Sequence, residues 1–222
     1  MRIRWFGQSA FLLVGEQSVF VDPFGDPGLL ASRGLEFRYP PIVDVAAELV
    51  LVTHDHFDHN AFDVVGGEPL VLRSPGRHES PVGEVVGIAS EHDSAAGTDR
   101  GPNTIFRFTL DGLRVAHFGD FGQSGLRPEQ RAALGEVDVL FLPVGGGPTI
   151  GGAEAAALVR EVDPRLVVPM HYRTSAVNFL EPPDAFLEAL GAPVERLETS
   201  EADLEPLLGV SGTAVVLLAP PT

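Results

Sequence analysis

THDHFDH, residues 53–59, holds three of the chain's seven histidines together with Asp55 and Asp58. Imidazole nitrogen mixed with carboxylate oxygen is the donor set that suits zinc, iron or manganese. The stretch follows the apolar run ELVLV and precedes Asn60–Val65, a candidate short helix, which places it on a strand-to-helix loop. On such a loop His54, His56, Asp58 and His59 can turn toward one point. One metal already uses much of this set, and two need more. Three further metal-competent residues each end a run of strand character: His92 after EVVGIASE, Asp120 in HFGD and His171 in VVPMHY. Polar residues placed just past apolar strands mark one rim of a sheet, where loops converge while the strands hold them rigid. A lone histidine is more often a hydrogen-bonded structural residue. His78 in RHES is read that way, and so is His117, which can also orient a ligand from behind. For His54, His56 and His59 together, a purely structural reading would crowd three costly polar groups without a shared partner.

Elements must exist to position these residues. Short runs of branched and aromatic residues recur: RIRWF, AFLLV, SVFVD, ELVLVT, LVLRS, EVVGIAS, TIFRFTL, LRVAHF, VDVLFLP, RLVVPM and TAVVLLA, most bounded by Gly, Pro, Asp or Asn. Asp111-Gly112 between two of them is a type I′ hairpin signal, so TIFRFTL and LRVAHF should pair antiparallel. Helical patterns are fewer: PEQRAAL, GAEAAALVREV and PPDAFLEAL, each with a proline or small residue near its start. The chain reads as a β-rich meander that ends in strand and helix alternation, sheets covered by helices. Residues 23–45, rich in Pro and Gly, read as a long loop or insertion.

The 222 residues can bury one sizeable core, and one domain over 1–222 is the default. Fifteen arginines, no lysine and 31 acids give a net charge of −16, which argues against nucleic acid and anionic membranes as partners. A small-molecule substrate is the expected partner, with homo-oligomerisation left open. The absence of cysteine excludes thiolate metal sites and cysteine nucleophiles. The opening MRIRWFGQSAFLLVG has too short an apolar stretch for a signal peptide, and no apolar run approaches the roughly 20 residues of a membrane span. The expected location is the cytoplasm.

With HxHxDH as His54, His56, Asp58 and His59, then His92, Asp120 in a Gly-Asp step and His171, the chain resembles the metallo-β-lactamase superfamily. WFGQSAFLLV followed by VFVDPF, PVGG at 143–146 and PMHY at 169–172 are similar to its L-ascorbate-6-phosphate lactonase-like branch. The resemblance implies an α/β fold, a four-layer αβ/βα sandwich with two mixed sheets face to face and a dinuclear site at their edge. It implies two divalent ions, zinc first, with Mn2+, Ni2+ or Fe2+ as alternatives. His54, His56 and His92 would hold one, Asp58, His59 and His171 the other, and Asp120 would bridge. Asp58 is also the candidate catalytic residue, and Asp22 would support the metal loop from behind. Gln8 departs from the Gly-His-Ser of many relatives, which should alter support or substrate contacts and not the ligands.

Two metals about 3.5–4 Å apart can share a water and lower its pKa toward ~7, so a bridging hydroxide needs no protein nucleophile. The implied activity is metal-dependent hydrolysis of a small anionic ester, lactone or phosphodiester. A non-catalytic metal-binding or regulatory domain, or a mononuclear iron redox enzyme of the same fold, is the alternative. Selectivity should come from rim residues: Arg100, Asn103, Thr149, Tyr172, Arg173 and Asn178, with arginine able to clamp a carboxylate or phosphate.

Overall fold

The computed structural model describes residues 1–32, 36–209 and 211–222. Its first sheet begins with β1 (Arg2–Gly7), β2 (Ala10–Val14) and β3 (Ser18–Val21), an antiparallel meander, and continues through β4 (Leu49–Leu51) and β5 (Leu70–Leu72), both parallel to their neighbours. The second sheet starts at β6 (Gly76–Ser80), β7 (Gly83–Glu91), β8 (Pro102–Leu110) and β9 (Leu113–His117), all antiparallel. It adds β10 (Val139–Pro143), β11 (Leu166–Met170), β12 (Val194–Arg196) and β14 (Ala214–Leu217) in parallel, while β13 (Glu201–Asp203) returns to pair with β1. The strand orders are β13-β1-β2-β3-β4-β5 and β12-β14-β11-β10-β9-β8-β7-β6.

The inner strands of both sheets are apolar on both faces because both faces are covered. Along β3 and β4, Val19, Val21, Leu49 and Leu51 join the core shared with the second sheet, whereas Phe20 and Val50 face the other way. That outer face is covered by Phe24, Phe37, Tyr39, Ile42 and Val45 from the segment read as a loop, and by Ala176, Val177 and Leu180. The segment also contains a short helix, α1 (Pro27–Ser32), which its Pro and Gly content concealed. The second sheet is covered by α2 (Pro128–Leu134), α3 (Gly152–Val162) and α4 (Asp184–Leu190), where helices were expected. Pro128 opens α2, and α3 ends at Asp163 in the left-handed region just before Pro164. The architecture is the αβ/βα sandwich, with a thin outer layer on the first sheet.

The hairpin between β8 and β9 turns on Asp111 and Gly112, both at positive φ (51° and 76°), as a type I′ turn requires. Strands β6, β12 and β13 escaped the sequence reading because GRHES, VER and EAD are polar. Each lies at a sheet edge, where one side faces solvent and no apolar run is needed. The helix expected over 60–65 is a single 3-10 turn, Phe62–Val64.

Candidate metal centre

The C-terminal ends of β1, β3, β4, β7, β9, β10 and β11 lie at one edge of the two sheets, together with the start of the antiparallel β8. Six of these strand ends deliver residues there: Gln8 and Ser9 after β1, Asp22 after β3, His54 to His59 after β4, His92 after β7, Asp120 after β9 and His171 after β11. Rigid apolar strands thus end in polar loops that meet in one place.

Asp120 is the centre of the cluster. Its Oδ2 lies 3.2 Å from His171 Nε2, 3.3 Å from His92 Nε2, 3.4 Å from His59 Nε2 and 3.9 Å from His54 Nε2. Asp58 Oδ2 is 3.6 Å from His59 Nε2. Donors bound ~2.0–2.1 Å from one tetrahedral ion stand roughly 3.3 Å apart, so these separations fit donors around shared ions better than hydrogen bonds. Two trios, His54-His56-His92 and His59-Asp120-His171, each bring one donor atom apiece within 4.8 Å of one another.

The far nitrogens of the rings decide which way the lone pairs point. Thr53 Oγ1 donates to Asp22 Oδ2 (2.7 Å) and therefore accepts from His54 Nδ1 (3.0 Å). His59 Nδ1 donates to Asp22 Oδ2 (3.0 Å), and His92 Nδ1 donates to the Pro148 carbonyl (3.0 Å). A neutral ring that donates from Nδ1 presents a bare lone pair at Nε2. Those lone pairs converge on a carboxylate oxygen, an arrangement that only cations between them make favourable. The buried Nε2 atoms of His54 and His59 have no hydrogen-bond partner. The residues therefore fit the metals that the resemblance implies.

Without metal the cluster compensates with protons. Burial disfavours a charged His59, yet the charges of Asp120 and Asp58 and the hydrogen bond to Asp22 hold its pKa well above the ordinary value. Burial would raise Asp120, but His171 and His59 keep it well below the usual carboxylate range. Burial, with His59 beside it, drives His54 well down, and burial lowers His92.

Behind the candidate ligands lies a second layer, of which the sequence reading assigned Asp22 and left His117 as a structural residue able to orient a ligand. Asp22, held at φ 51°, accepts the Thr53 backbone N–H (2.8 Å) as well as the Thr53 hydroxyl and His59. Ser9 Oγ donates to Asp120 Oδ1 (3.2 Å). His117, fully buried, donates from Nε2 to the Ser9 carbonyl (3.0 Å) and accepts the Gly119 N–H at Nδ1 (3.2 Å). Burial pushes its pKa down to about 4, which keeps the ring neutral for that pairing. Thr53 and Ser9 flank recognisable residues, but hydroxyls are too common in loops for position alone to mark them. His78 sits on β6 and bonds the Ser74 carbonyl (2.9 Å), away from the cluster.

Three rim candidates lie inside instead. Asn103 donates to Ser90 Oγ (2.8 Å) and the Phe118 carbonyl (2.9 Å) and accepts the Asp120 N–H (3.1 Å), so it positions Asp120. Tyr172 is buried, its ring 5.4 Å from Trp5, and burial raises its phenol pKa. Thr149 is buried in the Gly146–Ile150 turn. Loop polarity misled here because Thr149 bonds its own turn, while Asn103 and Tyr172 bond partners far along the chain. Arg100, Arg173 and Asn178 are exposed; Arg173 Nε donates to the Leu180 carbonyl (2.5 Å).

Comparison with known proteins agrees with this geometry. A family model for the beta-lactamase superfamily domain matches residues 2–171. A metal-dependent hydrolase of Thermococcus kodakarensis is 29% identical over 88% of this chain and 94% of its own, and one from Pyrococcus abyssi is 31% identical over 78% and 85%. The crystal structure of a Thermotoga maritima protein, named for Zn-dependent hydrolysis within the metallo-beta-lactamase superfamily, superposes with a TM-score of 0.77 at 31% identity, covering 98% of each chain. With the histidine-carboxylate cluster at the shared edge of its two sheets, the chain belongs to the beta-lactamase superfamily.

Proposed function

We propose that this chain is a metal-dependent hydrolase with a dinuclear centre, acting on a small anionic ester, lactone or phosphodiester. The observation that carries the reading is Asp120 Oδ2, placed 3.2–3.4 Å from the ring nitrogens of His171, His92 and His59, which belong to both donor trios. A carboxylate in that position suits two ions at once. His54, His56 and His92 would hold one and Asp58, His59 and His171 the other, zinc being the first choice for this nitrogen-rich set. When bound, the pair would supply Lewis acidity and a water made nucleophilic near neutral pH.

The chain's own residues define the rest. His54, His59, His92, Asp120 and His171 are buried, whereas His56 and Asp58 are partly exposed, so substrate approaches on the side of the latter two. There the Asp58 carboxylate is the group available to hold or pass a proton. The buried ligands exclude bulk water from the opposite side, which strengthens electrostatics at the reacting atoms. Arg100 and Arg173 are the exposed cations on loops that flank His92 and His171, suited to a carboxylate or phosphate. A formal charge of −16 without lysine disfavours nucleic acid as substrate.

Elemental analysis of protein purified without added metal, followed by assay of lactones, carboxylic esters and phosphodiesters with zinc, manganese, nickel and iron, tests the proposal. Two ions per chain and turnover of at least one class are expected. Fully loaded protein that is inert across the panel would overturn the hydrolase reading.

A further inference from the structure

The buried rings of the centre do not all have a partner behind them. His54, His59 and His92 each rest their Nδ1 on an oxygen at 3.0 Å, whereas His171 Nδ1 is buried with no partner. Its Nε2 is the nitrogen that faces Asp120. Next to it lies a second unpaired group. Gln8 is completely buried, and neither its Oε1 nor its Nε2 has a partner. The two residues are joined through the backbone, since the His171 N–H donates to the Gln8 carbonyl (3.4 Å). Both are non-glycine residues held in the left-handed region, Gln8 at φ 49° and His171 at φ 51°, a conformation kept only where surrounding structure imposes it.

Other polar groups near Gln8 are already engaged. Trp5 Nε1 donates to the Gln8 carbonyl (2.9 Å), the Tyr39 hydroxyl pairs with Thr174 Oγ1 (2.9 Å), and the Ser9 hydroxyl donates to Asp120. An unpaired carbonyl oxygen and an unpaired imidazole nitrogen on adjoining residues are complementary, and buried polar groups are rarely left orphaned.

We propose that Gln8 is the positioning residue of His171: its side-chain Oε1 accepts the His171 Nδ1–H when Nε2 holds a metal. This rests on the two-ion reading above. The bond fixes the ring's tautomer and orientation as Thr53, Asp22 and Pro148 fix the others. A neutral amide does so without adding negative charge to an ion that already faces Asp58 and Asp120.

The test uses the full chain, stripped of metal and titrated with zinc against a fluorescent chelator, as parent, Gln8→Leu and Gln8→Glu. Loss of a partner behind a ligating histidine typically weakens metal binding by about 10–100-fold. In Gln8→Leu one of two sites should weaken by that factor while the other keeps its affinity, and Gln8→Glu, which restores an acceptor, should recover the affinity. Nitrogen-15 spectra of the zinc-loaded parent should show a slowly exchanging His171 Nδ1–H that Gln8→Leu loses. Thermal unfolding of the metal-free proteins controls for the fold, and if Gln8→Leu unfolds below the parent, the unbranched Gln8→Met takes its place. A variant that binds both ions as tightly as the parent, with an unchanged His171 signal, overturns the assignment. A parent that takes up one ion overturns the two-ion reading, and Gln8 then stands or falls on whether that ion's affinity drops in Gln8→Leu.

Discussion

Asp120 differs from the other candidate ligands because its charge serves several partners at once. Its Oδ2 faces three ring nitrogens within 3.4 Å, and its Oδ1 and backbone N–H are held by Ser9 and Asn103. Asp120→Ala removes the anion while leaving every apolar strand intact. The variant should lose at least one metal and nearly all turnover, yet remain folded. His78→Ala, on edge strand β6, should change neither. Metal content, thermal unfolding and turnover measured on the same preparations separate these outcomes. If Asp120→Ala retains two metals and parental turnover, the shared-carboxylate assignment is wrong.

Between strand and ligand, the backbone itself is shaped to the site. Gly119, between the end of β9 and Asp120, has φ 56°, and a Cβ there would stand 2.5 Å from both Asn103 Oδ1 and Thr53 Oγ1. Asn103 holds the Asp120 N–H, while Thr53 supports Asp22 and His54. A methyl group at 119 therefore presses on both halves of the centre at once. Strain of this kind costs of order 1–3 kcal/mol, a large share of ordinary stability but seldom all of it. Gly119→Ala should fold with a lowered melting temperature and bind metal at least tenfold more weakly. Unchanged affinity by chelator competition would mean that the loop relaxes without moving its ligands. The same scale explains which elements could be read in advance. The runs forming β3, β4, β10 and β11 are apolar because both faces are buried, whereas β6, β12 and β13 are edge strands, polar because one side meets solvent, so no apolar run marks them.

At the scale of the whole molecule, His117 ties the sheets together, its ring stacked on Phe141 of β10 (5.6 Å) and edge-on to Phe11 of β2 (6.2 Å). Its folded pKa of about 4 lies below the ~6.5 of an unfolded histidine, so between those values the unfolded chain binds the extra proton. Its contribution is full above pH ~6.5 and is lost as pH falls through about 4, a total on the order of 3 kcal/mol. Urea unfolding of the metal-free chain across pH 7.5 to 4 should be less pH-dependent by about one proton in His117→Phe; parallel curves would place the acid sensitivity elsewhere. The sequence alone determined the candidate ligand types and their order, most strands, the hairpin and three helices, because apolar runs, turn chemistry and the crowding of His54, His56 and His59 are local signals. Only tertiary structure decided that Asn103, Tyr172 and Thr149 turn inward, that Phe24, Phe37, Tyr39, Ile42 and Val45 cover a sheet, and that Gln8 lies beside His171. Those outcomes depend on which partner stands opposite a side chain once distant strands are paired, and no spacing along the chain encodes that.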